Sequence, residues 1–303
     1  MPPDKTASVD ITRVTADVRE QAEDVVAVEE PLEIRAAWQV EGEPREQNIS
    51  VTMRTPGDDF DLAVGFLFTE GLVRTGSDIE SVRHWGSPNQ VRVALKPHAR
   101  IDASKLDRHF YTTSSCGVCG KTSIDALYVV AQPLEVQAPL DPAVVRGLPG
   151  TLQEAQTAFL ATGGVHGAAL FDRGGKLLRL REDVGRHNAV DKVIGSYVRE
   201  EMRAEGRGQR AEGENGRNGD VGPGFSLGPR PSALGPSIAE AILAVSSRGS
   251  FEIVQKAVVA GIGAIAFIGG PSSLAVDLAR RFNVTLVGFV RDGRFNVYAG
   301  RVT

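Results

Sequence analysis

The two cysteines of this 303-residue chain lie three residues apart, as Cys116 and Cys119. Because no other thiol is present, this CxxC pair is typical of sulfur chemistry or metal binding rather than of general packing. Ser114 or Ser115 can cap a helix that begins near Cys119. A helix N-terminus and the neighbouring Lys121 would both lower a thiol pKa and raise the thiolate fraction. The pair therefore favours redox or sulfur-carrying chemistry.

Two structural roles for the CxxC pair are weaker alternatives. A structural zinc site needs four nitrogen or sulfur ligands, and neither a second CxxC pair nor a histidine pair is present. Zinc shared across a dimer stays open, but we predict no metal site within one chain. A purely structural disulfide is disfavoured because so short a loop constrains little of the unfolded chain.

Two histidine segments supply further candidate site residues. His166 follows Gly163-Gly164-Val165 at the start of a predicted strand, where it is either a hydrogen-bonded core histidine or a site base. The segment 181–192 is dense in charge where a strand passes into a helix; it is either a solvated helix start or part of a site. Within it, His187 and Asp191 are spaced to hydrogen-bond each other across one helical turn.

Three turns that could bind an anion follow successive predicted strands, at Ser246–Ser250, Gly269–Ser273 and Phe289–Arg294. Free amides, hydroxyls and the guanidiniums of Arg248, Arg291 and Arg294 suit a phosphate group. Together the turns predict a phosphate-bearing ligand such as a nucleotide. The GxGxxG, GxxxxGK[ST] and GxSxG motifs and the zinc-deaminase signature are all absent from the sequence.

The elements that must position these residues indicate an α/β protein. Near-continuously apolar strands alternate with helices after residue 238, which predicts parallel strands buried on both faces. We expect an α/β/α domain with a mixed sheet over residues 106–303, with a mobile CxxC loop at 112–121 and a disordered insertion at 203–236. Residues 20–105 predict a smaller α+β N-terminal domain, and residues 1–19 a loose N-terminus.

Charge and composition exclude some classes of partner. The net charge is −4, which gives no general argument for nucleic acid or an anionic membrane. The first residues are polar and lack the apolar core of a signal peptide. Two cysteines without an export signal favour the reducing cytoplasm.

Taken together, these motifs resemble the formate dehydrogenase accessory sulfurtransferase family. The resemblance rests on four segments, in order: Ser115–Lys121, Thr162–His166, Glu182–Lys192 and Gly288–Arg294. It implies a cytidine-deaminase-like fold without the deaminase zinc, and a homodimer. It also implies that sulfane sulfur passes from a cysteine desulfurase, through a persulfide on the first cysteine, to the molybdenum bis(molybdopterin guanine dinucleotide) cofactor of formate dehydrogenase.

The site residues expected on this basis are of two kinds. The catalytic pair is Cys116 and Cys119, with Cys119 assisting transfer or resolving the persulfide as a disulfide. The residues expected to contact the cofactor are Phe289, Val290, Arg291, Asp292, Gly293, Arg294, Arg248, His166 and His187.

Two other functions stay open. A chaperone that carries the cofactor to formate dehydrogenase would need the arginines but not the thiols. A thioredoxin-like dithiol oxidoreductase would place the CxxC directly after a strand near the start of a compact domain. Here only a weak strand, Tyr111–Ser115, precedes it, and the domain is too large.

Overall fold

A computed structural model describes residues 4–99, 131–212, 237–291 and 293–303. The described part of the chain contains twelve strands in three sheets and six α-helices, which confirms the predicted mixed α/β class. None of these helices combines the length and the apolar character that crossing a membrane requires. Cys116, Cys119 and the predicted loop 112–121 lie outside the described residues.

The N-terminus differs from the loose segment predicted for residues 1–19. Strands β1 (Thr6–Thr15) and β2 (Val18–Ala27) form a two-stranded antiparallel hairpin with ten consecutive cross-strand pairs. Lys5 fixes its base, since its Nζ donates to Oδ2 of Asp58 at 3.0 Å. The prediction was wrong because this largely polar segment carries enough β-branched residues to favour a strand.

A four-stranded sheet follows, in the order β4-β3-β6-β5. Its strands are β3 (Glu30–Val40), β4 (Glu43–Arg54), β5 (Ile79–Trp85) and β6 (Ser87–Leu95), and only β3 and β6 pair in parallel. Helix α1 (Asp59–Thr69) covers one face. Its Leu62 and Leu67 belong to the same buried cluster as Ile34 and Val91.

The remaining strands form a six-stranded mixed sheet in the order β12-β11-β10-β9-β7-β8. These strands are β7 (His166–Phe171), β8 (Leu177–Asp183), β9 (Ile242–Val245), β10 (Ala264–Phe267), β11 (Thr285–Arg291) and β12 (Arg294–Ala299). Strands β9, β10 and β11 are parallel, as their apolar character predicts. Strand β12 lies at one edge of the sheet.

Helices bury both faces of this sheet. They are α2 (Pro142–Ala155), α3 (Thr157–Thr162), α4 (Arg186–Glu212), α5 (Phe251–Val259) and α6 (Ser273–Arg281). Alternate residues of β9 divide between two clusters: Leu243 packs in the cluster of α1, α4, α5 and α6, and Ile242 in that of α2. The first cluster also contains the inner face of the four-stranded sheet, so the two sheets share one core.

Helix α4 is longer than the sequence predicts. It runs from Arg186 to Glu212 and so occupies the first ten residues of the segment 203–236 that was predicted to be disordered. Residues 213–236 lie outside the described part. The end of the helix was mispredicted because the glycines and charges typical of a disordered segment already begin in the last turns of α4.

Candidate functional site

The three predicted anion-binding turns lie together at the carboxyl ends of the parallel strands β9, β10 and β11. The amide of Gly249 donates to the carbonyl of Gly270 at 3.1 Å, and that of Phe289 donates to Gly269 at 3.0 Å. The turns after β9, β10 and β11 are thus connected through their backbones. Parallel strands bring their carboxyl ends together in this way, which is why ligands of α/β proteins bind there.

Phe289 is held in an unusual position at this end of the sheet. Its φ is +53°, in the left-handed region, and a β-bulge between Gly288 and Arg291 accommodates it. A side chain on Gly270 would approach the Phe289 ring to 2.6 Å, so the ring lies directly on the neighbouring turn. The ring is 38% exposed, which leaves an aromatic surface facing outward.

A cavity of about 260 Å³ opens beside Phe289, lined also by Arg291, Arg294 and Asn296. The Arg291 guanidinium lies 5.8 Å from the centre of the Phe289 ring. Asn296 was not predicted from the sequence, because nothing local shows that β12 folds back beside the turn.

Arg248, Arg291 and Arg294 are all exposed, and none forms an ion pair with a residue of the described ranges. Uncompensated guanidiniums around a cavity favour binding of phosphate or carboxylate groups.

The other residues predicted to contact the cofactor differ in position. Val290 is 1% exposed and packs in the α2 cluster, so only its backbone could face a ligand; Gly293 turns the β11–β12 hairpin at φ +72°, and Asp292 lies outside the described residues.

The two histidines lie beside the first of these turns. His166 opens β7, and the next amide, of Gly167, donates to Oγ of Ser246 at 2.9 Å. His187 lies in the first turn of α4, with its Nε2 atom 3.2 Å from Oγ of Ser250. The structure therefore brings His166 and His187 to the end of the sheet that carries the arginines.

Both imidazoles are kept neutral by their surroundings. Burial, with the charges of Lys256 and Arg186, lowers the pKa of His187 to about 4. Burial and Arg186 also lower the pKa of His166. Neutral imidazoles can accept a proton or a hydrogen bond but add no positive charge to the site. Arg186, which acts on both rings, was not singled out within the charged segment that contains it.

Most of segment 181–192 is structural rather than part of an exposed site. The Glu182 carboxylate accepts the amides of Ala158 at 2.9 Å and Phe159 at 2.8 Å and so caps α3. Asn188 donates to the carbonyl of Met53 at 2.7 Å. The segment therefore fixes α4 and β8 to the N-terminal strands, while His187 contacts Ser250 and Arg186 lies near both histidines.

The predicted hydrogen bond between His187 and Asp191 is wrong. Asp191 accepts from Oγ1 of Thr69 at 2.7 Å and from Nζ of Lys256 at 3.0 Å. Thr69 ends α1 and Lys256 lies in α5, so Asp191 is buried where these two helices pack against α4. The His187 side chain instead points toward Ser250.

Among the described residues, no group of three histidine, cysteine or acidic side chains is placed to hold a metal ion. Cys116 and Cys119 fall outside those residues.

The chain matches the model of the FdhD/NarQ family over residues 27–208 and 233–303. It is 45% identical over 285 residues to the sulfur carrier protein FdhD of Anaeromyxobacter dehalogenans strain 2CP-1, covering 91% of this chain and 87% of that protein. It is 40% identical over 317 residues to the sulfur carrier protein FdhD of Mycobacterium bovis, covering 98% of this chain and 99% of that protein.

A solved structure is also similar. It is a crystal structure from Desulfotalea psychrophila, described as that of a formate dehydrogenase accessory protein, with a TM-score of 0.68, 22% identity and coverage of 99% of this chain and 100% of that one. At this identity the likeness supports the fold alone. The family match and the extent of the relatives show that the chain belongs to the FdhD/NarQ family.

Proposed function

We propose that this protein is a sulfur carrier that serves a formate dehydrogenase. The family match and the names of its relatives support this role, and those relatives align over nearly their whole length. The CxxC pair supplies the only thiols of the chain. The observation that carries the proposal in the structure is the cavity at the carboxyl ends of the strands, whose exposed Arg291 and Arg294 pair with no acidic side chain of the described residues.

The first step is the loading of Cys116. Its thiolate attacks the outer sulfur of a persulfide on a cysteine desulfurase; a new S–S bond forms, the old one breaks, and the desulfurase cysteine leaves as a thiolate. Cys116 then carries the sulfane sulfur as a persulfide. In the release step the Cys119 thiolate attacks Sγ of Cys116, which forms a disulfide and expels hydrosulfide toward the acceptor.

The acceptor in this proposal is the molybdenum bis(molybdopterin guanine dinucleotide) cofactor, bound as a substrate. Arg248, Arg291 and Arg294 would hold its phosphates, and the exposed face of Phe289 offers a surface on which a guanine ring can stack. The residues present fit these groups, because the guanidiniums lack carboxylate partners among the described residues. His166 or His187, both neutral, would accept the proton of an approaching thiol.

Three further features belong to this proposal. The protein acts as a homodimer, its six-stranded domain is of the cytidine-deaminase type, and it works in the cytoplasm, where thiols stay reduced. The family resemblance supports the first two, and the sulfur chemistry supports the third.

The direct test is mass spectrometry of the full-length protein after incubation with a cysteine desulfurase and cysteine, without reductant. Trypsin releases residues 109–121 as one peptide with both cysteines, so single variants must assign the carrier. We expect one added sulfur atom in the wild type and in Cys119→Ala, and none in Cys116→Ala. Unmodified wild-type peptide, or peptide with only a Cys116–Cys119 disulfide, would contradict the proposal.

One observation favours a second function, a cofactor-carrying chaperone. The described residues that line the arginine cavity all fall within residues 289–296. In a host lacking this protein, a chaperone with Cys116→Ala would still activate formate dehydrogenase, whereas Arg291→Ala with Arg294→Ala would not. A sulfur carrier loses the activation in both variants.

A further inference from the structure

A second cavity lies at the other end of the six-stranded sheet, where the parallel strands begin. It has a volume of about 250 Å³ and is lined by Val136, Gln137, Arg280, Asn283, Thr285 and Arg301, with three neighbouring residues. Its floor is the start of β11. The arginine cavity of the candidate site lies at the end of the same strand, six residues away, which corresponds to about 20 Å. The two cavities are therefore separate sites.

The connecting segment before α2 forms one wall of the cavity through Val136 and Gln137. Leu134 is fixed at one end, where its amide donates to the carbonyl of Phe282 at 3.1 Å. Leu140 is fixed at the other, where its amide donates to the carbonyl of Arg301 at 3.2 Å. Residues 135–139 between these anchors belong to no strand, and two of them line the cavity.

Two guanidiniums provide its positive charge. Nε of Arg280 donates to the carbonyl of Tyr298 at 3.3 Å, which fixes the side chain and leaves its terminal nitrogens available. Arg301 is exposed, and neither arginine pairs with an acidic side chain of the described ranges. The carboxyl end of α6 contributes about half a negative charge nearby, which two full positive charges outweigh.

Thr285 supplies a buried polar group without a partner. The residue is only 4% exposed, yet no described residue accepts from or donates to its hydroxyl. This hydroxyl is not among the fully enclosed unsatisfied atoms, so it opens toward the cavity it lines. A buried hydroxyl that lacks a protein partner calls for water or a ligand.

We infer that this cavity binds an oxyanion of the phosphate class. Arg280 and Arg301 supply charge-assisted donors from two sides, and the Thr285 hydroxyl supplies a third donor from the floor. The volume exceeds that of one water several-fold, since a water in the liquid takes about 30 Å³. The phosphate belongs either to a free inorganic anion or to a nucleotide. This site does not depend on the proposed sulfur transfer.

The test is equilibrium dialysis of the full-length protein against radiolabelled inorganic pyrophosphate and, separately, guanosine diphosphate, at constant ionic strength. The variants are Arg301→Gln and Thr285→Val, each compared with Arg281→Gln. All of them carry Arg291→Ala and Arg294→Ala as a common background, which removes phosphate binding at the first cavity. Arg281 is exposed in the same last turn of α6 but does not line the cavity. Thr285→Val keeps the side-chain shape and the guanidiniums, so it isolates the hydroxyl.

We expect saturable pyrophosphate binding that weakens about tenfold in Arg301→Gln, weakens in Thr285→Val, and is unchanged in Arg281→Gln. Stronger binding of the nucleotide, lost in the same variants, would identify the nucleotide as the source of the phosphate. Equal binding by the background protein and its Arg301→Gln variant would overturn the inference. So would the absence of pyrophosphate binding in the background protein, because that result places the anion only at the first cavity.

Discussion

The Nζ atom of Lys192 lies 2.6 Å from Oδ2 of Asp183, and neither side chain is exposed to solvent. Lys192 also donates to the carbonyl of Thr55 at 2.8 Å, while Asp183 accepts the amide of Thr55 at 3.2 Å. The pair thus connects β8 and α4 to the end of β4. It fixes the helix start that presents His187 to the candidate site.

Removing one partner of this buried pair should be costly. Lys192→Met leaves the Asp183 charge buried without its cation, and we expect a loss of about 3–5 kcal/mol in the free energy of unfolding. Urea titration followed by circular dichroism measures it. Lys192→Met with Asp183→Asn removes both charges and should recover part of the loss. A single variant within about 1 kcal/mol of wild type would show that the pair is not essential.

The crossing of α1 and α4 depends on two glycines. A Cβ atom on Gly65 would lie 1.8 Å from the carbonyl oxygen of Asp191, and one on Gly195 would lie 1.9 Å from that of Asp61. We therefore expect Gly65→Ala to push the helices apart and to cost at least about 2 kcal/mol. Thermal unfolding measures the effect.

Gly147 provides the matched control, because it lies in α2 and a Cβ atom added there would have no neighbouring atom within 4 Å. Gly147→Ala should be neutral or should stabilise the protein by about 0.5–1 kcal/mol. If both substitutions behave alike, the close approach at Gly65 does not limit stability.

The elements of the six-stranded sheet could be predicted because their signals are local. The continuously apolar β9, β10 and β11 have the composition of buried parallel strands, and they alternate with α5 and α6 as the sequence predicts. Since the carboxyl ends of such strands share an edge, the adjacency of the three turns followed from the order of the elements.

The uses of the charged segment 181–192 could not be predicted in the same way. Asp183 and its partner Thr55 are 128 residues apart in the chain, and Asp191 and its partner Lys256 are 65 residues apart. A dense run of charges looks the same whether it faces a ligand or a buried partner. The difference appears only once α1 and β4 pack against α4. His187 then faces the site, whereas Asp183 and Asp191 are buried against residues that stabilise the fold.

The arginines around the first cavity should determine binding of a guanine nucleotide. Removing one charge-assisted contact in Arg291→Ala should weaken binding of guanosine diphosphate about tenfold or more. Isothermal titration calorimetry at two salt concentrations measures the affinity, which should fall as salt rises. Arg19→Ala, on the exposed β1–β2 hairpin, is the charge-matched control and should bind like wild type. An unchanged affinity in Arg291→Ala would place the nucleotide elsewhere.

Neutral His187 should make the protein less stable in acid. Its pKa in the folded state is about 4, below the ordinary 6.5, because burial and the charges of Lys256 and Arg186 outweigh Glu252 and Glu70. The unfolded state therefore binds more protons between these values, and stability falls as the pH drops from 6.5 toward 4.

His187→Gln should reduce this slope without abolishing it, because the lowered pKa of His166 acts in the same direction. Urea midpoints at a series of pH values between 4 and 7 test the prediction. Parallel curves for wild type and variant would show that His187 does not titrate abnormally.

The residues between the two family segments should be dispensable. The family match ends at residue 208 and resumes at 233, and α4 ends at Glu212, so residues 213–232 are an addition to the shared fold. Replacing them with a short glycine-serine linker should change the free energy of unfolding by less than about 1 kcal/mol, because loop-closure entropy varies slowly with length. The buried part of α4, including Val193 and Val198, is untouched. The shortened protein should also gain sulfur from a desulfurase as the full chain does, and a protein that folds normally but no longer accepts sulfur would assign these residues a role in partner binding.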